Sequence, residues 1–183
     1  MRYTDEEGIE QLHGCYNKWC APSYFGTKVV RFIHTRMGKQ NLKKMKANVK
    51  NVQWVTEREY DCDRSKIDGI KMLEAILQGT SKLPDYIEYI KCSLWCEQAY
   101  VLNLDKNVIE FWDGFQPVYG NFWSYIDDPI DVFYEDGGKY IYGPCKLMGE
   151  KPFNDTVGWI KSYYHYNDEQ INAYVKKPLI KYT

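Results

Sequence analysis

The 183-residue chain has no stretch of about 18 consecutive apolar residues, which excludes a membrane-spanning helix on sequence grounds. Its six cysteines, Cys15, Cys20, Cys62, Cys92, Cys96 and Cys145, contain no CxxC pair, so the tight knuckles of structural zinc sites are missing. A composite site using His13 is the one arrangement left, and free thiols are the expected state. Histidine is scarce: only His13, His34 and His165 occur, and the Ile33-His34-Thr35 triplet has no second copy, which removes a paired-histidine phosphoesterase. GxSxG, P-loop, HExxH and a strand-borne GxGxxG are all absent. There is no internal repeat and no low-complexity linker.

One further absence is local. Between Gln11 and Thr56 there is no aspartate or glutamate, while Lys18, Lys28, Arg31, Arg36, Lys39, Lys43, Lys44, Lys46 and Lys50 are all cationic. From Glu97 to Asp136 the sign reverses. Glu97, Asp105, Glu110, Asp113, Asp127, Asp128, Asp131, Glu135 and Asp136 are opposed there by Lys106 alone. The formal net charge of −1 is therefore a cancellation between two segments of opposite sign. A charge run is most often a solvated face, and mutual neutralisation of the two segments in space is the plain expectation. The sharper expectation is that each face addresses a charged partner. Lys28, Arg31, Arg36, Lys39, Lys43, Lys44, Lys46 and Lys50 are then candidates for nucleic-acid phosphates. Asp113, Trp123, Asp127, Asp128, Asp131, Glu135 and Asp136 are candidates for a basic protein groove, the carboxylates replacing phosphates and the rings acting as anchors.

What is present in quantity is apolar and aromatic material. Hydrophobic residues make up 44% and aromatics 16%, with 17 tyrosines and six tryptophans, enough to build a core. Length and composition predict one α+β domain over 1–183, helical and basic over 1–80 and β-rich, acidic and aromatic over 90–150, with a closing helix at about 167–177. The N-terminal helices are expected to pack on a mainly antiparallel sheet built from C-terminal hairpins. Thr4 and Glu7 form a capping-box pair that predicts a short helix over residues 5–12. Val29, Val30, Phe32 and Ile33 mark one helix face, with Ser23 as its candidate cap. Leu42, Met45 and Val49 mark a second. Val52–Val55 reads as a strand, and Ile67 to Leu77 as the clearest helix, closed by Gly79. Two hairpins follow, turning at Asp105-Lys106-Asn107 and at Asp136-Gly137-Gly138. On "VIEFWDGF" neither alternating set, Val108/Glu110/Trp112 nor Ile109/Phe111/Asp113, is wholly apolar, and the facing stays open.

The polar, acidic start "MRYTDEEGIEQL" does not read as a secretory leader, so the expected compartment is the cytoplasm, with the cysteines reduced. The best enzymatic candidate is the loop "HGCYNKWCAPSY", which gathers His13, Cys15, Asn17, Cys20, Ser23 and Tyr24. A packed connection explains it more simply. Asp127-Asp128 and Asp136 read as solvated turns. No metal, cofactor or catalytic residue is expected.

Two stretches carry a resemblance. "CEQAYVLNLDKNVIEFWDGF" (Cys96–Phe115) resembles a hairpin of small, largely uncharacterised proteins of phages and mobile elements in gut bacteria. "YNKWCAPSYFGTKVVRFI" (Tyr16–Ile33) is similar to a segment of the same group, in the same order. Lys18 and Cys20 stand where that group tends to carry histidine and aspartate, which removes the polar cluster an enzyme would need. The resemblance implies a non-catalytic counter-defence protein that binds and inhibits a host nucleoprotein effector, foremost a CRISPR nuclease with its guide RNA. The alternatives are a nucleic-acid-binding module using the basic helices and a hydrolase built on the Cys15–Cys20 loop. None involves a membrane.

Overall fold

The structure is a computed structural model, and it describes residues 1–15, 25–60, 67–87, 98–113, 117–118, 130–133, 139–142, 146–155 and 169. Its class is α+β, as the order of patterns predicts. The larger sheet has five strands: β1 (Arg2–Thr4), β2 (Glu10–Leu12), β5 (Gln98–Asn103), β6 (Val108–Asp113) and β10 (Lys146–Pro152). They run in the order β10-β6-β5-β1-β2, antiparallel except where β1 lies parallel to β5. A two-stranded parallel sheet pairs β3 (Gln53–Val55) with β4 (Lys82–Pro84). A three-stranded antiparallel sheet orders β7 (Pro117–Val118), β9 (Lys139–Tyr142) and β8 (Ile130–Phe133) as β7-β9-β8. The helices are α1 (Thr27–Arg36), α2 (Lys39–Val49), the single turn α3 (Glu57–Tyr60) and α4 (Gly69–Gln78).

Local chemistry explains the helices. Val29, Val30, Phe32 and Ile33 of α1 are buried, as are Met45 and Val49 of α2, at the three-to-four spacing of one helix face. Asp68 caps α4 by accepting the Lys71 N–H at 2.8 Å. Gly79 ends it at φ +86°, its N–H donating to the Ile76 carbonyl while Thr80 N–H reaches Ala75. α1 begins instead at Gly26, without a side-chain cap. A β-carbon on Gly26 would sit 2.8 Å from the Tyr100 ring, so glycine is what lets α1 approach β5. Ser23, the expected cap, lies outside the described residues, as does the Asp136-Gly137-Gly138 turn; of the expected closing helix over 167–177 only Glu169 is described, in helical conformation.

One expectation fails. Residues 5–12 do not form a helix; β1 and β2 make an antiparallel hairpin there, registered Arg2 to Leu12 and Thr4 to Glu10. The Thr4–Glu7 capping box is not used. Asp5 claims the turn, accepting the N–H groups of Glu7 and Ile9 at 3.0 and 2.9 Å, and Gly8 completes it at φ +83°. A short acidic segment has little intrinsic helicity, and pairing with β5 decides the outcome. The main sheet is therefore built from both ends of the described chain, and not from the later hairpins alone.

The facing of β6 is resolved by burying both sides. Tyr3 of β1, Leu102 of β5, and Ile109 and Phe111 of β6 join Phe32, Met45, Leu73, Ile76 and Leu83 in one core beneath the helices. Each such side chain contributes roughly 1.5–3 kcal/mol by leaving water. The alternate residues point the other way, where Glu110 is 3% exposed. Its carboxylate accepts from Asn103 Nδ2 at 2.7 Å and Trp112 Nε1 at 3.0 Å, and faces Arg2 Nη2 at 3.3 Å. Arg2 also lies over the Trp112 ring, 5.8 Å from its centroid. A buried carboxylate survives only when its lone pairs are met, and here three groups meet them. Replacing Glu110 by alanine is expected to cost ~2–4 kcal/mol, because the Asn103 and Trp112 donors and the Arg2 charge lose their acceptor. A urea titration checks this by its midpoint; a variant as stable as the parent would show that the network contributes nothing.

Candidate functional site

The basic segment folds into α1 and α2, and the two helices treat their cations differently. On α1, Lys28 and Arg31 are half-buried and each already engaged. Arg36 reaches across to α4, its Nε and Nη2 donating to the two carboxylate oxygens of Glu74 at 3.2 and 3.4 Å. Its partner belongs to neither charged block. On α2 the picture reverses: Lys39, Lys43 and Lys44 are exposed, as is Lys50 just beyond the helix, and Lys46 is half-buried. Among the described residues none of these five ammonium groups has a carboxylate within 4.0 Å. Met45 and Val49 turn inward, and Asn48 donates to the Ile76 and Leu77 carbonyls of α4 at 2.7 and 3.3 Å, which locks the helix so that the lysines face out. The half-buried Asp5 carboxylate is held below its ordinary value, first by the Ile9 N–H and then by Gln11; Lys50 adds a weaker pull in the same direction.

The acidic segment is only partly in view. Asp105 accepts the Thr4 hydroxyl at 2.8 Å, Lys106 lies 3.5 Å from Glu150, and Glu110 is internal. Of the candidate partner-binding residues, Asp113 closes β6 and Asp131 lies in β8. Trp123, Asp127, Asp128, Glu135 and Asp136 lie outside the described residues.

A second polar cluster forms where β2 ends. His13 Nδ1 lies 2.8 Å from Asp85 Oδ2, while Asp85 Oδ1 accepts the N–H groups of Gly14 and Ile87 at 3.0 and 3.1 Å. The His13 ring stacks on Trp54, centroids 4.4 Å apart and planes 8° from parallel, and Trp54 Nε1 donates to the Tyr3 hydroxyl at 3.3 Å. The Met1 α-amino group donates to the His13 carbonyl at 2.6 Å, and burial pushes it down to about 5. Burial also raises the Tyr3 hydroxyl. For Asp85, burial alone works upward, but the hydrogen bonds from His13 and Gly14 outweigh it and leave the carboxyl below its ordinary value. An ionised carboxylate can only accept, so His13 Nδ1 is the donor in this contact. Cys15, two residues on, donates its thiol to the Ile67 carbonyl at 3.2 Å.

The loop expected to hold an enzymatic centre thus supplies His13 and Cys15, while Asn17, Cys20, Ser23 and Tyr24 lie outside the described residues. Sequence reasoning missed Asp85 and Trp54. No local signal marks them, since His13 and Asp85 are 72 residues apart. Among the described residues no group of three histidine, cysteine or acidic side chains is placed to hold a metal, and no helix is long and apolar enough to cross a membrane. No protein-family model, curated protein or solved structure matches the chain.

The Asp85 bonds carry a pH dependence. A carboxyl depressed in the folded state contributes stability above its unfolded value of about 3.8, and that contribution fades as pH falls through the folded value. Asp85→Asn should therefore melt below the parent at pH 6, and the gap in Tm should close as pH drops under 4. A gap that persists unchanged to pH 2.5 would place the effect in packing.

Proposed function

We propose that the protein is a non-catalytic binding protein that docks on a host nucleoprotein effector, with α2 addressing the nucleic acid that the effector carries. The observation that carries this reading is the exposed set Lys39, Lys43, Lys44 and Lys50, free of ion pairs among the described residues while Arg36 on the neighbouring helix is neutralised. Exposed like charges repel one another, and a polyanion that meets them relieves that repulsion. The counter-defence setting comes from the resemblance of Cys96–Phe115 and Tyr16–Ile33 to phage and mobile-element proteins. A CRISPR nuclease with its guide RNA is the partner that fits both, because it offers exposed phosphates beside basic protein grooves. The acidic, aromatic second half would engage those grooves.

The test is a complex between the purified protein and the guide-loaded effector, followed by gel filtration and by inhibition of target cleavage. Reversing Lys43, Lys44 and Lys46 to glutamate should weaken the complex at least tenfold, with the fold intact by circular dichroism. Unchanged affinity would remove α2 from the interface.

A second reading, a hydrolase at the Cys15 loop, is favoured by the His13–Asp85 pair, which orients an imidazole two residues from a thiol. The Cys15 proton would have to leave its bond to Ile67 and pass to His13 Nε2. This reading predicts turnover of a nucleotide, amide or RNA substrate that Cys15→Ser abolishes while binding stays intact. Equal turnover by parent and variant would end it.

A further inference from the structure

Four of the lysines form a line. At 100° per residue, Lys39, Lys43, Lys46 and Lys50 fall within an arc of about 60° on α2 and its C-cap, whereas Lys44 lies about 100° outside the row's nearest member. Along the axis the row is ~16 Å long, from 11 residues at 1.5 Å each. One strand of a duplex presents a phosphate every ~3.4 Å of axis, hence about five over that length. We infer that this row is a backbone track: it lies along one strand of a nucleic acid and meets successive phosphodiesters, reading charge and spacing and not base identity. The inference rests on the reading of α2 as the nucleic-acid-facing element, and names what that element recognises.

Three features support it. The helix holds no acidic residue, so no carboxylate of α2 itself repels phosphate. The lysine stems are long enough for each ammonium to adjust by several ångströms, and the half-buried Lys46 can lay its stem on the protein while its head stays in water. No aromatic side chain belongs to α2, so a stacking platform for bases is not part of the row. Lys50 shares its field with Asp5 and should contribute least.

The full-length protein is titrated by fluorescence anisotropy against a 20-base-pair DNA duplex, a 20-nucleotide oligo-uridine RNA and a poly-glutamate of equal length, over a salt series. Log affinity should fall against log salt with a slope of about −3 to −4 on the duplex and somewhat shallower on the single strand. Lys39→Gln, Lys43→Gln and Lys46→Gln should each reduce the duplex slope by about 0.9, and Lys44→Gln, which lies off the row, should reduce it by clearly less. If Lys44→Gln acts as strongly as the others, the row is overturned while α2 stays the binding element. Failure to bind either nucleic acid overturns both. Poly-glutamate binding as tight as the duplex overturns the phosphate assignment in favour of an acidic protein surface.

Discussion

The main sheet hangs on one guanidinium. Arg2 of β1 reaches Glu10 on β2 in one direction and the buried Glu110 on β6 in the other, at 3.1 and 3.3 Å. Because Glu110 is out of water, its charge is stable only while Arg2, Asn103 and Trp112 surround it. That requirement fixes β1 beside β5 and sets which side of β6 faces the helices. Ile109 and Phe111 then meet the core with Leu102 and Tyr3, and α1 closes over them at Gly26. A strand whose two faces are both buried cannot slip by one residue without putting the carboxylate into the hydrocarbon core.

The second tie is the junction of β2 with the β3–β4 sheet. Asp85 gathers His13, Gly14 and Ile87, Tyr86 N–H bonds the Gly14 carbonyl, and Trp54 stacks on the imidazole. This clasp holds the N-terminal hairpin against the sheet whose strands flank α4. α4 in turn receives Asn48 from α2, so the outward face of the lysine helix is set by a chain of contacts that begins in the sheet. Orientation of the charged surface is thereby a property of the core and not of the lysines.

The charge segregation has three different fates in three places. Arg36 is neutralised by Glu74, Glu110 is internal, and the α2 lysines remain in solvent. A count of signs along the chain treats these groups as equivalent. The fold separates a structural carboxylate from a surface cation by burial, which changes the energy of an unpaired charge by several kcal/mol.

Several elements were legible in the sequence because their causes are local. The apolar spacing in α1, α2 and α4, the Gly79 end of α4 and the turn at Asp105-Lys106-Asn107 act over a few residues. The acid-free run from Gln11 to Thr56 was equally plain. The hairpin at residues 2–12 was misread as a helix because its capping pair is a local signal overruled by a distant strand. Glu110's place inside, the His13–Asp85 pair and the choice of which lysines stay exposed were decided by tertiary structure. Each depends on groups brought together across long stretches of sequence, 72 residues for His13 and Asp85. Spacing along a chain specifies a neighbour only within a turn or a ladder; beyond that, the path of the backbone specifies it.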